Sequence, residues 1–146
     1  MAHSTVIEEN TASRHRLEAI ISRLSPADLR SSTPYGWTVA ALLAHLAFWD
    51  QRVLVLLTRW RDNGTVESPV DSQAINEALK PLCHAIAPRA AVRLCLSSAG
   101  AVDAEVSVLT PAMMERIRAA DPRFPLSRAV HRNAHVGDIE SVLGQR

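Results

Sequence analysis

Helical periodicity dominates this chain: apolar residues recur at three- and four-residue steps almost throughout, and no segment alternates as a strand would. The clearest example runs from Val39 to Trp60, where apolar side chains return to the same face over several turns. Such a period predicts amphipathic helices, each of which must bury its apolar face against other elements. An all-α fold is therefore expected.

Prolines and capping residues divide the periodic sequence into elements. Four long segments are predicted as the main helices of a four-helix bundle: 6–24, 38–63, 72–109 and 126–143. Ser25-Pro26 and Thr110-Pro111 each place a capping side chain before a proline, which predicts a short helical turn and a short helix. Thr38 is a candidate cap for the second main helix, and Ser68-Pro69 precedes the third. Pro88 lies inside that helix, and we expect it to bend the helix without dividing it.

Size and composition indicate a globular protein. The chain has 146 residues, of which 47% are hydrophobic and 21% charged, and its formal net charge is +1. These values are typical of a single domain spanning residues 1–146. A net charge near zero provides no field that would attract a nucleic acid. No apolar run approaches the roughly 18–20 residues that cross a membrane, so neither nucleic acid nor membrane partners are expected.

The two cysteines and the N-terminal sequence both bear on the compartment. Cys83 and Cys95 are twelve positions apart on the predicted third helix, which is about 18 Å along its axis. That separation is too large for a disulfide, so we interpret both as reduced thiols in the core. The polar N-terminal sequence lacks the apolar stretch of a secretory signal. Together these features predict a cytoplasmic protein.

Two predicted helices carry histidines whose spacing suits a metal ion. His131 and His135 are four residues apart on the last helix, so their side chains share one face with Cβ atoms about 5–6 Å apart. His45 lies beside the apolar stripe of the second helix. If those helices pack together, three imidazoles converge and leave positions open for water or substrate, as in catalytic metal sites. All-imidazole ligands suit zinc, nickel, copper and iron alike, so the identity of the metal stays open.

Spacing alone also allows structural roles for these residues. Histidines four apart can lie on an exposed helix face, and His45 can be a core or capping residue. Asp138 shares the face of the histidine pair and could orient a ligand, bind the metal or accept a proton, or be a solvated carboxylate. Asp50, one turn beyond His45, could support the site and needs a partner such as an arginine if it is buried. Trp49 could line a pocket beside His45 or fill the core.

Two segments resemble the DinB-like superfamily, which includes relatives of the mycothiol-dependent maleylpyruvate isomerases: GWTV at 36–39 with LAHLAFWD at 43–50, and DPRFPL at 121–126 with HRNAHVGDIE at 131–140. The resemblance implies a four-helix bundle with an up-down-down-up course. It also implies that a divalent metal, such as zinc, nickel or iron, is held by His45, His131 and His135. Homodimers and a low-molecular-weight thiol cofactor, such as mycothiol or bacillithiol, are further features that it implies.

The predicted site is compatible with three functions. The first is a metal-dependent enzyme acting on a small-molecule substrate, in which a bound cation lowers the pKa of a water or a thiol. Thiol S-transfer or isomerisation is what the resemblance implies, and a hydrolase would need the same three ligands. The second is a non-catalytic metal-binding or dimer-forming stress protein, because no unambiguous general acid or base stands beside the histidines. The third is a structural helical protein without a metal.

Overall fold

The computed structural model describes residues 2–64 and 70–145, and within these ranges the chain is helical and has no strand. Seven helices follow one another there: α1 (Ala2–Ile21), α2 (Pro26–Arg30), α3 (Val39–Asn63), α4 (Ser72–His84), α5 (Pro88–Ser107), α6 (Pro111–Ala120) and α7 (Ala129–Leu143). The prediction of an all-α fold is confirmed. The first, second and last main helices of the sequence correspond to α1, α3 and α7.

The predicted capping residues begin the helices. The side chains of Ser25, Thr38 and Thr110 each accept a hydrogen bond from the backbone N–H three residues on, which satisfies one of the free donors at a helix start. Asp71 caps α4 in the same way. The predicted signal at Ser68-Pro69 lies outside the described residues. Three of these helix starts were therefore readable from local sequence.

The third main helix is two helices, so the prediction of one bent helix was wrong. α4 ends at His84, and α5 begins at Pro88 after a short turn. Pro88 stands at the first position of α5, where its missing N–H is one that no helix would use. A different proline, Pro81, is tolerated inside α4. The sequence signal at Pro88 marked a helix start instead of a kink.

The division of the third helix separates the two cysteines. Cys83 belongs to the last turn of α4 and Cys95 to α5, and both are buried and free. Burial raises the pKa of both thiols, that of Cys95 to about 12. The thiols therefore stay protonated at neutral pH and pack as small apolar groups.

α3 lies at the centre of the packing. It packs most extensively against α5 and also contacts α2, α4 and α7, whereas α1 packs against α7 and α5. Buried apolar side chains form two clusters, one around the first half of α3 and the other around its second half. α7 contributes Val136, Ile139 and Leu143 to the first cluster. This arrangement brings the first half of α3 alongside α7.

By length and composition, α3 could also cross a membrane, and no other helix in residues 2–64 and 70–145 could do so. However, 67% of its most apolar window is buried inside the protein. The core helix of a soluble protein meets the same criteria, because it must be apolar on most of its faces. The expectation that no segment is apolar enough is thus corrected, while the burial of α3 fits a soluble domain.

Candidate metal centre

His45 projects from the first half of α3 and is buried, with 5% of its surface exposed. Two indole rings flank it: the ring centroid of Trp37 is 5.1 Å away and that of Trp49 is 6.5 Å away, both edge-on. Trp37 immediately precedes the capping residue of α3, and Trp49 is one turn beyond His45. The indoles restrict the orientation of the imidazole by packing.

His131 and His135 lie on consecutive turns of α7, which begins at Ala129, three residues later than predicted. Their ring centroids are 4.8 Å apart, and each centroid is within 5.1 Å of that of His45. The ligand atoms of all three histidines lie within 4.8 Å of one another. Within the described ranges of the chain, no other group of histidines, cysteines and carboxylates converges in this way.

The donor atoms of this cluster suit one metal ion. Nε2 of His45 is 3.0 Å from Nε2 of His131. Two nitrogens that bind one ion at about 2.0–2.1 Å are separated by roughly 2.9–3.4 Å for octahedral or tetrahedral angles, so this distance fits. Three neutral nitrogen donors match zinc, nickel or iron better than the hard cations that prefer oxygen. The residues present therefore fit a divalent transition metal.

The environment keeps two of the three imidazoles neutral. Burial lowers the pKa of His45 to about 4, with a further contribution from His135. Burial also lowers the pKa of His131 to about 2, and the neighbouring histidines, Arg128 and Arg132 add to the effect. A neutral imidazole presents the lone pair that a metal requires. At neutral pH these side chains are therefore ready to bind a cation without first losing a proton.

Among the described hydrogen bonds, only one holds a ring of the three histidines through its Nδ1 atom. Nδ1 of His135 is 3.0 Å from Oδ2 of Asp138, one turn further along α7. This contact leaves Nε2 of His135 as the ligand atom, because the carboxylate holds the proton on Nδ1. In contrast, Nδ1 of His45 is buried and has no hydrogen-bond partner among the described residues. Packing against the two indoles, together with the Nε2 contact to His131, therefore orients His45.

The three histidines open into a cleft of about 370 Å³. Asp138 also lines this cleft, and so do apolar and polar side chains from the loop before α3, from α3 and from α4: Thr33, Tyr35, Trp37, Leu42 and Asn76. Trp49, which was expected to line a pocket, is not among the residues that form the wall. Its Nε1 instead donates to Oδ1 of Asn76 at 3.0 Å, so it holds a lining residue in place.

Asp50 is buried, and its partners are arginines, the kind of partner expected for a buried carboxylate at this position. Its Oδ1 accepts from Nε of Arg128 at 2.8 Å, and its Oδ2 accepts from Nη2 of Arg132 at 3.4 Å. Arg132 also donates to both oxygens of Asp103 on α5, at 2.8 and 3.0 Å. Asp50, Asp103, Arg128 and Arg132 form what we call the ion layer. Among the described contacts, Asp50 bonds to these arginines and to none of the three histidines.

Several residues of the site were not identified from the sequence. Arg128 and Arg132 have 3% and 0% of their surface exposed, and only their position beside the histidine pair could have drawn attention to them. Trp37, although it lies in the GWTV segment that carries the family resemblance, was not predicted to line the site, and neither was Asn76. His84 accepts from the backbone N–H of Thr38 at 3.2 Å and so connects α4 to the start of α3.

These observations define a class: an all-helical protein in which α3 and α7 present three histidines that can hold a metal ion at the floor of a cleft. The chain matches the DinB superfamily over residues 9–138, and it therefore belongs to that superfamily. None of the curated proteins and none of the solved structures compared with the chain matches it significantly. The resemblance noted in the two histidine-bearing segments is confirmed by the family match.

Proposed function

We propose that this protein is a metal-dependent enzyme in which His45, His131 and His135 bind a divalent cation such as Zn²⁺, Ni²⁺ or Fe²⁺. The observation that carries the proposal is the convergence of the three imidazoles at one end of an open cleft. Three protein ligands leave coordination positions free, as catalytic sites require and closed structural sites do not. A bound cation would lower the pKa of a water or a thiol that occupied such a position.

The surrounding residues have the chemistry to act on a small-molecule substrate. Asp138 faces the cleft while one of its oxygens contacts His135, so it is placed to accept a proton released near the histidines. Trp37 and Leu42 provide an apolar wall that excludes water from one side. Trp49 engages the carbonyl oxygen of Asn76, which leaves the amide NH₂ to donate to an acceptor on the substrate.

For the reaction, we propose thiol S-transfer or isomerisation, with metal-assisted hydrolysis using the same residues. The thiol chemistry follows from resemblance to members of the superfamily that use a low-molecular-weight thiol. The cleft supports either reaction, because its volume suits a small ligand. Either reaction also needs a proton acceptor, and Asp138 is the only carboxylate among the lining residues. A thiol would leave its proton to Asp138 and be held against the apolar wall.

The proposal is tested in two stages on untagged protein. Metal analysis of the purified chain is expected to find one divalent ion per chain, and none in a variant with all three histidines replaced by alanine. Loss of a low-molecular-weight thiol in the presence of a panel of electrophiles is then followed with and without metal. Metal-dependent consumption that disappears in the triple variant would support the enzyme, and equal metal content in both proteins would refute it.

The alternative is a metal-binding or dimer-forming protein without turnover. It is favoured by the scarcity of acid–base groups, since Asp138 is the only carboxylate among the lining residues and it is engaged with His135. Stoichiometric metal with no metal-dependent consumption of thiol and no hydrolysis would select it. Under either proposal we expect a cytoplasmic homodimer, and light scattering of the eluting protein tests the oligomeric state.

We further infer that the chain is one domain with an up-down-down-up course of α1, α3, α5 and α7. Contacts between helices support this order. The residue numbers of bonded partners increase in the same direction along α3 and α5, and the same is true of α1 and the chain around α7. Each of these two pairs of helices is therefore parallel. Partners on α3 and α7 run in opposite order, which indicates an antiparallel pair. The match over residues 9–138 supports a single domain.

A further inference from the structure

The half of α7 that carries the histidines is not held by apolar packing. The buried apolar residues of this helix, Val136, Ile139 and Leu143, all follow His135. Before His135, the only buried residue of α7 is Arg132, and Arg128 is buried at the position that precedes the helix. The first two turns of α7 are therefore anchored by charged side chains, whose bonds are directional where apolar contacts are not.

The ion layer connects this part of α7 to the same helix that carries His45. Asp50 follows His45 by five residues, or about 7.5 Å along α3, and it accepts from both Arg128 and Arg132. Arg132 is the neighbour of His131 in sequence. The two helices that bring the histidines together are thus joined a second time, about one and a half turns away, by ionic hydrogen bonds.

A buried ion pair is a poor source of stability, because removing the charges from water offsets most of their attraction. Its directional bonds can nevertheless specify how two helices align. A displacement of α7 along α3 would break the 2.8 Å contact of Asp50 with Arg128 and leave charges unpaired in the core. Alignment at the ion layer therefore sets alignment at the histidines, since both are rigidly attached to the same two helices.

We infer that Asp50, with Arg128 and Arg132, positions His131 and His135 of α7 against His45 of α3. These are positioning residues, which act on the metal through the histidines. The inference rests on the proposed metal site and adds to it the part of the structure that determines its geometry. Fixed donor positions raise the affinity of a site and select its coordination geometry, because the ligands need not be ordered on binding.

Asp103 provides a matched control, because it is the other buried carboxylate of the ion layer. It accepts two bonds from Arg132 and one from Arg14 at 2.9 Å, but it lies on α5, which carries no ligand. Asp103 has more and shorter bonds than Asp50, so its loss should cost the fold more. Only Asp50 joins the two histidine-bearing helices directly, so its loss should affect the metal site more.

The experiment measures Zn²⁺ affinity by chelator competition and the visible absorption spectrum of bound Co²⁺ in Asp50→Asn and Asp103→Asn. We expect Asp50→Asn to weaken Zn²⁺ binding about tenfold, the lower end for residues that support a ligand, and to change the Co²⁺ spectrum. Asp103→Asn should lower the midpoint of urea unfolding further than Asp50→Asn does. Its Zn²⁺ affinity and Co²⁺ spectrum should change less than those of Asp50→Asn, because Asp103 acts on α7 only through Arg132.

The inference is overturned if Asp50→Asn keeps the original affinity and spectrum, or if both variants change them equally. Should Asp50→Asn fail to fold, the double variant Asp50→Asn/Arg128→Gln replaces it, because its two neutral amides can still bond across the helices. That variant should recover folding and part of the affinity, and full affinity would overturn the inference. Absence of Zn²⁺ binding by the original chain would instead remove the proposed function, and this inference with it.

Discussion

The histidine site and the ion layer lie side by side between the same helices, yet they differ in how far their polar atoms are paired with opposite charges. In the ion layer, both oxygens of Asp50 accept bonds, and the guanidinium of Arg132 donates to two carboxylates. At the histidines, two Nε2 atoms face each other at 3.0 Å, and Nδ1 of His45 has no partner among the described residues. In the ion layer the opposite charges are paired, although Nε of Arg132 has no hydrogen-bond partner among the described residues, whereas the histidines direct their donor atoms at a common point.

This difference distinguishes a polar group that supports the fold from one that is kept for a ligand. Buried polar atoms normally find partners, because an unpaired one costs about 1–3 kcal/mol. A group of imidazoles that opens into a cleft can recover that cost only when something binds. The comparison therefore predicts that the largest losses of stability follow damage to the ion layer, and that the largest losses of metal affinity follow damage to the histidines.

The largest effect is expected for Arg132→Met. It removes the cation that bonds to both Asp50 and Asp103 and leaves the ion layer with one more negative than positive charge, and breaking a buried pair in this way costs about 3–5 kcal/mol. Urea unfolding of the metal-free protein measures this loss. Arg16→Met is the control, because Arg16 also joins α7 to α1 but is half exposed in its pair with Glu140, and it should cost less than about 1 kcal/mol. Equal losses would contradict the distinction between the two layers.

The next effect is expected for His131→Ala. Loss of one of three ligands should weaken Zn²⁺ binding more than about 100-fold, beyond the 10–100-fold that supporting residues contribute. The metal-free stability should change little, because the buried imidazole bonds to His45 and has no described hydrogen bond to the side chains of the ion layer. Titration calorimetry measures the affinity, and His15→Ala, on an exposed face of α1, should bind as the original protein does. Retained stoichiometric binding in His131→Ala would exclude the site.

A pH effect should follow from the same two histidines in the metal-free protein. The pKa is lowered to about 4 for His45 and about 2 for His131, whereas both would titrate near 6.5 in the unfolded chain. Below about pH 6.5 the unfolded state therefore binds protons that the folded state does not. The free energy of unfolding should therefore keep its full value above that pH and decrease toward pH 4, by at most about 1.4 kcal/mol per pH unit for each histidine.

Urea unfolding at a series of pH values measures this slope. His131→Gln, which cannot take up a proton, should reduce the slope below pH 6.5, while His15→Gln should not. If His131→Gln and the original protein lose stability in parallel, protonation of this histidine does not contribute to acid unfolding, and the comparison of the two layers loses its electrostatic basis.

The smallest effect is expected for Asp138→Asn. An amide accepts the Nδ1 proton of His135 less strongly than a carboxylate does, so Zn²⁺ affinity should fall about tenfold while stability stays the same. Glu140→Gln removes a negative charge from the outer face of the same helix and controls for net charge. If the two variants weaken Zn²⁺ binding equally, Asp138 acts on the cation only through long-range electrostatics.

The main features of the site were readable from local sequence, and the errors have local causes. The spacing of His131 and His135 on one helix face follows from helical geometry alone, and the caps at Ser25, Thr38 and Thr110 follow from side-chain chemistry. Pro88 was misjudged because a proline signals a disturbed helix equally well at a kink and at a helix start. Local sequence does not distinguish these two positions.

Other features depended on residues that are distant in the chain. The roles of Asp50 and Arg132 became clear only when α3, α5 and α7 were brought together, since 82 residues separate this pair. Trp49 was expected to line a pocket, but its indole N–H found Asn76 on α4. A helix pattern states which side chains share a face, but it does not state which face of another helix they meet.

By itself, the sequence determined that the chain is helical, where several helices begin, and which histidines share a face, because these properties depend on residues a few positions apart. Tertiary structure alone decided that His45 meets His131 at 3.0 Å and that these histidines line a cleft. It also decided that the arginines of the ion layer pair with Asp50 and Asp103. These outcomes depend on how whole helices align, and that alignment is set by the sum of contacts across the core.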